Sequence, residues 1–257
     1  APDKKKNAMT DKEYDVLQYI NSHGISRTEI LSSDLHLSES TVRRILDKLE
    51  QRELIVRFHG GASPASTEQR SAVHARFHTQ TDEKERIAKT ASELLSDGNI
   101  VILLGGTTVA GLCKYFRRKR LTVITNSILV FDRMKDNPTT KMVLLGGEYC
   151  QEENELKGSL TNNMLLQLGA DYLFSGASAF DERRGFLTNE IDSIELYNSC
   201  FQAAKNVVMM VDSSKYNANA IAVTASCGKV NYLVSGRELC PDAVKAFQEN
   251  GIQVLSA

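Results

Sequence analysis

Between residues 99 and 256, seven short apolar runs alternate with helix-like stretches: NIVILL (99–104), LTVIT (121–125), KMVLL (141–145), DYLFSG (171–176), NVVMMV (206–211), NYLVS (231–235) and IQVLS (252–256). A strand that is apolar at nearly every position must have both faces covered, and consecutive parallel strands need a crossover that a helix usually supplies. The pattern predicts an α/β fold with a mainly parallel sheet. In such sheets a ligand sits in a crevice outside the C-terminal ends of the strands.

Glycines and polar residues collect at those ends: Gly105-Gly106-Thr107-Thr108, Thr125-Asn126-Ser127, Gly146-Gly147-Glu148, and a longer segment from Ser175-Gly176 through Asp181 to Gly185. Glycines let a backbone approach a ligand closely, and free N–H groups at a helix start, with two hydroxyls beside them, can cradle a phosphate. The first segment lacks the lysine of a P-loop and the spacing of a dinucleotide motif, and two glycines after a strand are often only a turn. Recurrence at neighbouring strand ends favours ligand binding. The ligand-binding candidates at these ends are Gly105, Gly106, Thr107, Thr108, Asn126, Ser127, Gly146, Gly147 and Asp181. The competing reading for Asp181, Glu195, Asp212 and Lys215 is turn capping and surface ion pairing.

The first sixty residues follow a different period. Tyr14, Val16, Leu17 and Ile20 mark a first helix that stops at Gly24, and Ser26 with Glu29 has the spacing of a capping box for a second. In STVRRILDKLE (40–50), Val42, Ile45, Leu46 and Leu49 form one apolar stripe of a third helix, capped by Ser38 or Ser40. The β-prone run Leu54 to Phe58, ending at Gly60-Gly61, reads as a wing. Three helices and a wing predict a winged helix-turn-helix over residues 9–62, then a Ser/Ala/Thr-rich linker over 63–80 and the α/β effector domain over 81–257, whose first helix Thr81 or Asp82 would cap. The DNA-binding candidates are Ser40, Thr41, Arg43, Arg44, Lys48, Arg57 and His59. From Lys4 to Ala62 there are ten Lys and Arg against nine Asp and Glu, so any DNA contact depends on where the cations project and not on net charge.

The 257-residue chain has a formal net charge of -1, which gives no global pull toward nucleic acid or membrane. Its five cysteines are widely spaced with no C-x-x-C pair, which suits buried reduced thiols, and no metal or cofactor is expected. His74 and His78 lack metal-like spacing. With no apolar run of ~18 to 20 residues and no signal-like segment, a cytoplasmic protein is expected. Residues 1–8, with their lysine run, read as an appended stretch before a natural start at Met9.

The run Ser40 to Glu50, followed by LIVRFHGGA (54–62), resembles the N-terminal signature of the DeoR family of bacterial sugar-metabolism regulators. GGTT, VITNS (123–127), LLGGEY (144–149), Lys157-Gly158, GASAFDERRG (176–185), Glu195 and DSSKY (212–216) are similar to that family's effector domain. The resemblance runs from Asp11 onward. It implies an effector domain folded like ribose-5-phosphate isomerase and an inducer that is a phosphorylated sugar, and it adds Glu195 and Lys215 to the effector-binding candidates, Lys215 as the cation for the phosphate and the acids as acceptors from hydroxyls. Two positions depart from the family pattern. Ile45 stands where an Asp is usual, which implies an altered polar surface on the recognition helix. Leu104 stands where the family has an Asp before its G-T-T, which removes a carboxylate partner for sugar hydroxyls.

The function so implied is not enzymatic: a DNA-binding transcriptional regulator, expected to repress a sugar-metabolism operon, binding operator DNA and a phosphorylated sugar as a homo-oligomer. A sugar-phosphate isomerase on the same scaffold is the alternative, with Asp181 and Glu195 or Lys215 as acid and base, but an isomerase has no use for a recognition helix. A protein-binding adaptor would leave the strand-end glycines without a task.

Overall fold

The structure, a computed structural model, describes residues 9–52, 54–58, 60–64, 76, 79–116 and 119–257. The chain divides into two compact units, Ala1–His74 and Ala75–Ala257.

In the first unit, α1 (Asp11–His23), α2 (Thr28–Asp34) and α3 (Glu39–Gln51) enclose a core of Val16, Ile20, Leu31, Val42, Leu46 and Leu49. Gly24, at φ 74°, ends α1 as expected, its N–H donating to the Ile20 carbonyl. Ser38 caps α3 by accepting from the Thr41 N–H at 3.3 Å. The wing consists of β2 (Ile55–Phe58) and β3 (Gly61–Pro64), antiparallel, with Gly60 at φ 89° in the turn. Ser63 and Pro64, at the head of the expected linker, therefore belong to the wing.

The expected capping box at Ser26 and Glu29 is corrected. Ser26 lies in β1 (Ser26–Arg27), paired with Ala62 of β3, and its hydroxyl donates to the Gly24 carbonyl at 3.1 Å. The ladder holds Ser26 in extended backbone one residue too early, so Arg27 precedes α2 with no side-chain cap. A capping box does form at α1, where the Thr10 hydroxyl accepts from the Glu13 N–H at 3.3 Å and the Glu13 carboxylate from the Thr10 N–H at 3.0 Å.

The second unit opens with α4 (Thr81–Ser92), whose expected caps Thr81 and Asp82 lie inside its first turn; Gln80, at φ 52°, precedes it. Then come β4 (Ile100–Leu103), α5 (Thr107–Gly111), β5 (Leu121–Thr125), α6 (Ile128–Met134) and β6 (Thr140–Leu144). A hairpin of β7 (Glu148–Cys150) and β8 (Glu155–Lys157) leads to α7 (Ser159–Leu165) and β9 (Ala170–Ser175). After β10 (Ala179–Asp181), β11 (Gly185–Thr188) and α8 (Ile194–Ala203) the chain continues through β12 (Ala204–Met210) and β13 (Ala222–Ala225). It closes with β14 (Tyr232–Ser235), α9 (Pro241–Glu249) and β15 (Gln253–Ser256).

The seven apolar runs are the seven strands of one sheet, in the order β15-β14-β12-β9-β4-β5-β6, every pair parallel. Alternate residues feed two cores. Val101, Leu103, Val123, Val208 and Met210 join Ile87 of α4 and Val130 of α6 on one face. Ile102, Ile124, Leu173, Val207 and Met209 join Leu165 of α7, Leu196 of α8 and Phe247 of α9 on the other. Phe180, Phe186 and Phe247 stack on that second face with ring centroids 5.7 to 6.0 Å apart. Strands β4, β5 and β6 spread one way and β9, β12, β14 and β15 the other, so the strand order reverses between β4 and β9. That switch point is where a doubly wound sheet opens a crevice. Of the cysteines, Cys113, Cys200 and Cys227 are buried as expected, Cys150 is half-buried, and Cys240 is exposed.

Candidate functional site

Two candidate sites follow, one in each unit. On α3 the stripe of Val42, Ile45, Leu46 and Leu49 is buried, which leaves Ser40, Arg43, Arg44 and Lys48 exposed and Thr41 half-buried. Ile45 is 6% exposed. It sits in the core, so its departure from the family pattern does not alter the polar face of the helix, contrary to expectation. Three of the expected DNA-binding cations carry acidic partners: Arg43 with Glu39 at 2.9 Å, Lys48 with Glu13 at 2.9 Å, and Arg57 with Asp47. Arg44 has no ion pair among the described residues. His59 lies outside the described residues.

Glu13 differs from the other acids. It is 2% exposed, and it joins the start of α1 to Lys48 at 2.9 Å and Arg52 at 3.5 Å near the end of α3. The Thr10 N–H and the Lys48 ammonium hold its carboxyl below the usual carboxylate range, against the burial that would raise it. It fixes the recognition helix by hydrogen bonds to a charged acceptor, which are stronger than neutral ones.

The second site is the crevice at the switch point. Gly105 and Gly106 follow β4, Thr107 and Thr108 begin α5, and Gly176 to Ser178 follow β9; all line one cleft. Gly106 has φ 121°, a backbone conformation that L side chains rarely adopt, and the space where a Cβ would stand is open. Lys215 reaches in from the turn after β12, its ammonium donating to the Ala177 carbonyl at 2.9 Å with Asp212 at 3.7 Å. Burial pushes the Lys215 ammonium down, opposed by Asp212. Asp212 is 1% exposed and starts the turn that carries Lys215.

Arg76 also lines the cleft, paired with Glu153. Lys84 of α4 donates to the Arg76 carbonyl and to the Thr79 hydroxyl, so the segment carrying the guanidinium is tied to the helix behind it. Opposite stand Glu153, Glu155 and Glu190. Lys157 joins two of them, lying 3.1 Å from Glu155 and against Glu190. Burial pushes the Glu155 carboxyl up to about 7 although Lys157 draws it down. Burial alone would lower the Lys157 ammonium, but Glu155 and Glu190 hold it above the ordinary lysine range.

The structure thus brings Gly105, Gly106, Thr107, Thr108 and Lys215 together and leaves the other expected effector residues outside the cleft wall. Asn126 and Ser127 hold the β7–β8 hairpin in place: the Asn126 amide donates to the Leu156 carbonyl at 3.0 Å, and Ser127 bridges to Glu155 across a single β-pair. Gly147 lets that hairpin leave β6 closely, since a Cβ there would lie 2.1 Å from the Thr161 hydroxyl and 2.5 Å from the Lys157 carbonyl. Gly146 accepts from the Thr161 hydroxyl at 2.7 Å. Asp181 closes the β10–β11 turn, accepting from the Arg183 and Arg184 N–H groups at 3.0 and 2.7 Å. Glu195 is exposed on α8 beside Asn162 at 3.4 Å. Sequence reasoning missed Arg76, Glu153, Glu155 and Glu190. A partial signal was present in Glu155-Leu156-Lys157, whose two-residue alternation sets the acid and the lysine on one face of a strand.

Comparison with known proteins agrees with this division. Residues 14–68 match the DeoR-like helix-turn-helix domain and residues 79–237 the DeoR C terminal sensor domain. The HTH-type transcriptional repressor GlcR of Bacillus subtilis is 30% identical, over 93% of this chain and 93% of its own length. The HTH-type transcriptional repressor CsqR of Escherichia coli is 28% identical, over 93% and 92%. The glycerol-3-phosphate regulon repressor of Escherichia coli is 27% identical, over 96% and 98%. Among solved structures, ribose 5-phosphate isomerase A of Methanocaldococcus jannaschii aligns at a TM-score of 0.40 and 18% identity, over 54% of this chain and 55% of that one. The described helices include none long and apolar enough to cross a membrane. With a recognition helix in the first unit and a parallel-sheet crevice in the second, each matched by its own domain of the same family, the chain belongs to the DeoR family of DNA-binding transcriptional regulators.

Proposed function

We propose that the crevice receives a phosphorylated sugar and that its occupancy changes the chain's affinity for operator DNA. One observation carries the reading: Lys215 and Arg76 meet the glycine–threonine turn at the switch point of the sheet. A phosphate there gains backbone N–H donors, the Thr107 and Thr108 hydroxyls, and two cations in a site partly shielded from water. The names of the relatives fit, since one is a glycerol-3-phosphate regulon repressor. Sensing is favoured over isomerisation because Asp181 and Glu195, two of the three residues expected as acid and base, stand outside the cleft and leave Lys215 there without either of them. The chain acts as a cytoplasmic repressor and as a homo-oligomer, because one winged head reads only a few base pairs and operator selectivity needs at least two.

The test is calorimetric titration with glucose 6-phosphate, ribose 5-phosphate and glycerol 3-phosphate beside their unphosphorylated forms, with operator affinity read in parallel. At least one phosphorylated compound is expected to bind and to shift operator affinity by a coupling on the order of 1 to 3 kcal/mol. Lys215→Ala is expected to abolish that shift while DNA binding survives. Binding of no phosphorylated compound, or equal binding of the unphosphorylated forms, overturns the reading. Sedimentation at micromolar concentration tests the assembly, and a monomer with and without operator contradicts it.

A further inference from the structure

The carboxyl of Glu155 stands where an effector's hydroxyls would be read. Glu155 is 7% exposed, yet it lines the crevice. Its Oε1 meets the Lys157 ammonium at 3.1 Å, while its Oε2 accepts no hydrogen bond among the described residues. The buried side-chain oxygens and nitrogens without a partner among the described residues do not include this one, so Oε2 opens to the crevice, where a ligand hydroxyl or water completes its bonding.

The backbone beside it is shaped to admit it. A Cβ on Gly105 would lie 2.3 Å from the Glu155 Oε2, so only a glycine at this position lets the carboxyl lie over the end of β4 without moving it. Leu104, the residue that follows β4, is 3% exposed and part of the apolar core, and so brings no side-chain acceptor of its own. The acceptor comes instead from β8, whose hairpin is docked on Asn126 and Ser127. Lys215 and Arg76 supply positive charge in the same cleft, and the acids Glu153, Glu155 and Glu190 line it beside them. A free phosphate calls on the cations, the backbone N–H groups and the threonine hydroxyls, and carries no alcohol group beyond the phosphorus. A phosphorylated polyol also presents hydroxyl donors, and the open oxygen of Glu155 accepts from them.

From this arrangement we propose that Glu155 is the specificity-determining residue of the crevice: its Oε2 accepts a hydrogen bond from a hydroxyl of the effector next to the phosphate-bearing carbon, and so selects a sugar or polyol phosphate over inorganic phosphate. The proposal rests on the phosphorylated-sugar reading of the same crevice. A hydrogen bond to a charged acceptor corresponds to a preference of about tenfold or more.

The experiment compares the full chain with Glu155→Gln at pH 8, where the Glu155 carboxyl is ionised, titrated with inorganic phosphate, glycerol 3-phosphate, ribose 5-phosphate and glucose 6-phosphate. Gln keeps the size of the side chain and removes its charge. The expected result is a loss of about tenfold or more for the phosphorylated compound that the unaltered chain binds best, with inorganic phosphate changed less than about twofold. Glu155→Asp, one methylene shorter, keeps the charge but withdraws it, and the same selective loss is expected. A merely structural role would move both ligands together. Equal losses, or none, therefore overturn the inference while leaving the phosphorylated-sugar reading intact. If the unaltered chain binds none of the phosphorylated compounds, that reading falls and the inference with it.

Discussion

The two units handle charge in opposite ways. In the first unit Arg43 of α3 stands in water and pairs with the exposed Glu39, and the half-buried Arg57 of β2 pairs with the exposed Asp47. Such pairs are worth little, are screened by salt, and can be exchanged for DNA phosphates at small cost. Glu155 and Lys215 in the crevice, and Lys157 behind its acids, are held by the fold and moved away from their ordinary titration ranges. Their geometry is set before a ligand arrives, which lowers the cost of ordering on binding. Loosely held surface pairs suit a partner with many equivalent charges, such as DNA, and charges fixed by the fold suit the proposed small phosphorylated effector. Glu13 is the informative exception: among the described residues it is the one acid buried in the reader, and it belongs to the scaffold and not to the surface.

The largest expected effect tests whether the two units are independent in stability as well as in charge. Phe247 is fully buried against Phe180 and Phe186 in the second unit only. Phe247→Ala is expected to cost that unit about 3 to 5 kcal/mol, while the first unit keeps its own core of Val16, Ile20 and Leu46. Calorimetry should show one melting transition lowered and the other unmoved. A single transition lowered as a whole would break the comparison.

Next in size is the pH dependence of the crevice. Glu155 is raised in the folded chain from 4.5 to about 7. Folded protein then holds a proton that the unfolded chain has released, so the Glu155 contribution to stability is fully present below about pH 4.5 and is lost as pH rises through 7. The loss above pH 7 is on the order of 3 kcal/mol, since each tenfold change in proton affinity corresponds to about 1.4 kcal/mol. Glu155→Gln should remove this dependence, leaving a chain more stable than the original at pH 8 and little changed at pH 4.5. A denaturation series across that range measures it, and parallel curves for the two chains would refute the assignment.

Much of the fold was legible because it rests on local periodicity. The all-apolar runs marked the parallel strands, and the stripe from Val42 to Leu49 marked the recognition helix. Legibility failed where a long-range partner outcompeted a local signal: Ser26 has the spacing of a cap, but its ladder to Ala62 decides its backbone. The candidate site was half legible. GGTT and Lys215 announce themselves by glycine, hydroxyl and charge beside strand ends. Arg76, Glu155 and Glu190 come from segments far apart in sequence, and only the crossing of the sheet brings them together. Asn126 and Gly147 stand at strand ends as their sequence suggests, but what they contact is the hairpin that carries Glu155.

On the reader, Arg44 and Arg43 sharpen the comparison between a cation with no ion pair among the described residues and one that has an acidic partner. Arg44→Ala is expected to weaken operator binding: by ~1 to 3 kcal/mol at one base pair if it meets a base edge, or uniformly, with a salt slope lower by about one, if it meets a phosphate. Unchanged binding in a mobility-shift titration would remove Arg44 from the interface.

The smallest expected effect belongs to Glu39, which both pairs with Arg43 at 2.9 Å and stands in the first turn of α3. Replacing it with Gln removes a surface pair of about 0.3 to 0.5 kcal/mol and a favourable charge at a helix start, so the first unit should lose a few tenths of a kcal/mol. The same change leaves Arg43 without its anionic partner and takes a negative charge away from the DNA phosphates, so operator affinity should rise slightly, and more at low salt than at high. Stability and affinity therefore move in opposite directions in one variant. If both fall together, the Arg43–Glu39 pair is scaffold like that of Glu13, and the reader's surface is as preorganised as the crevice.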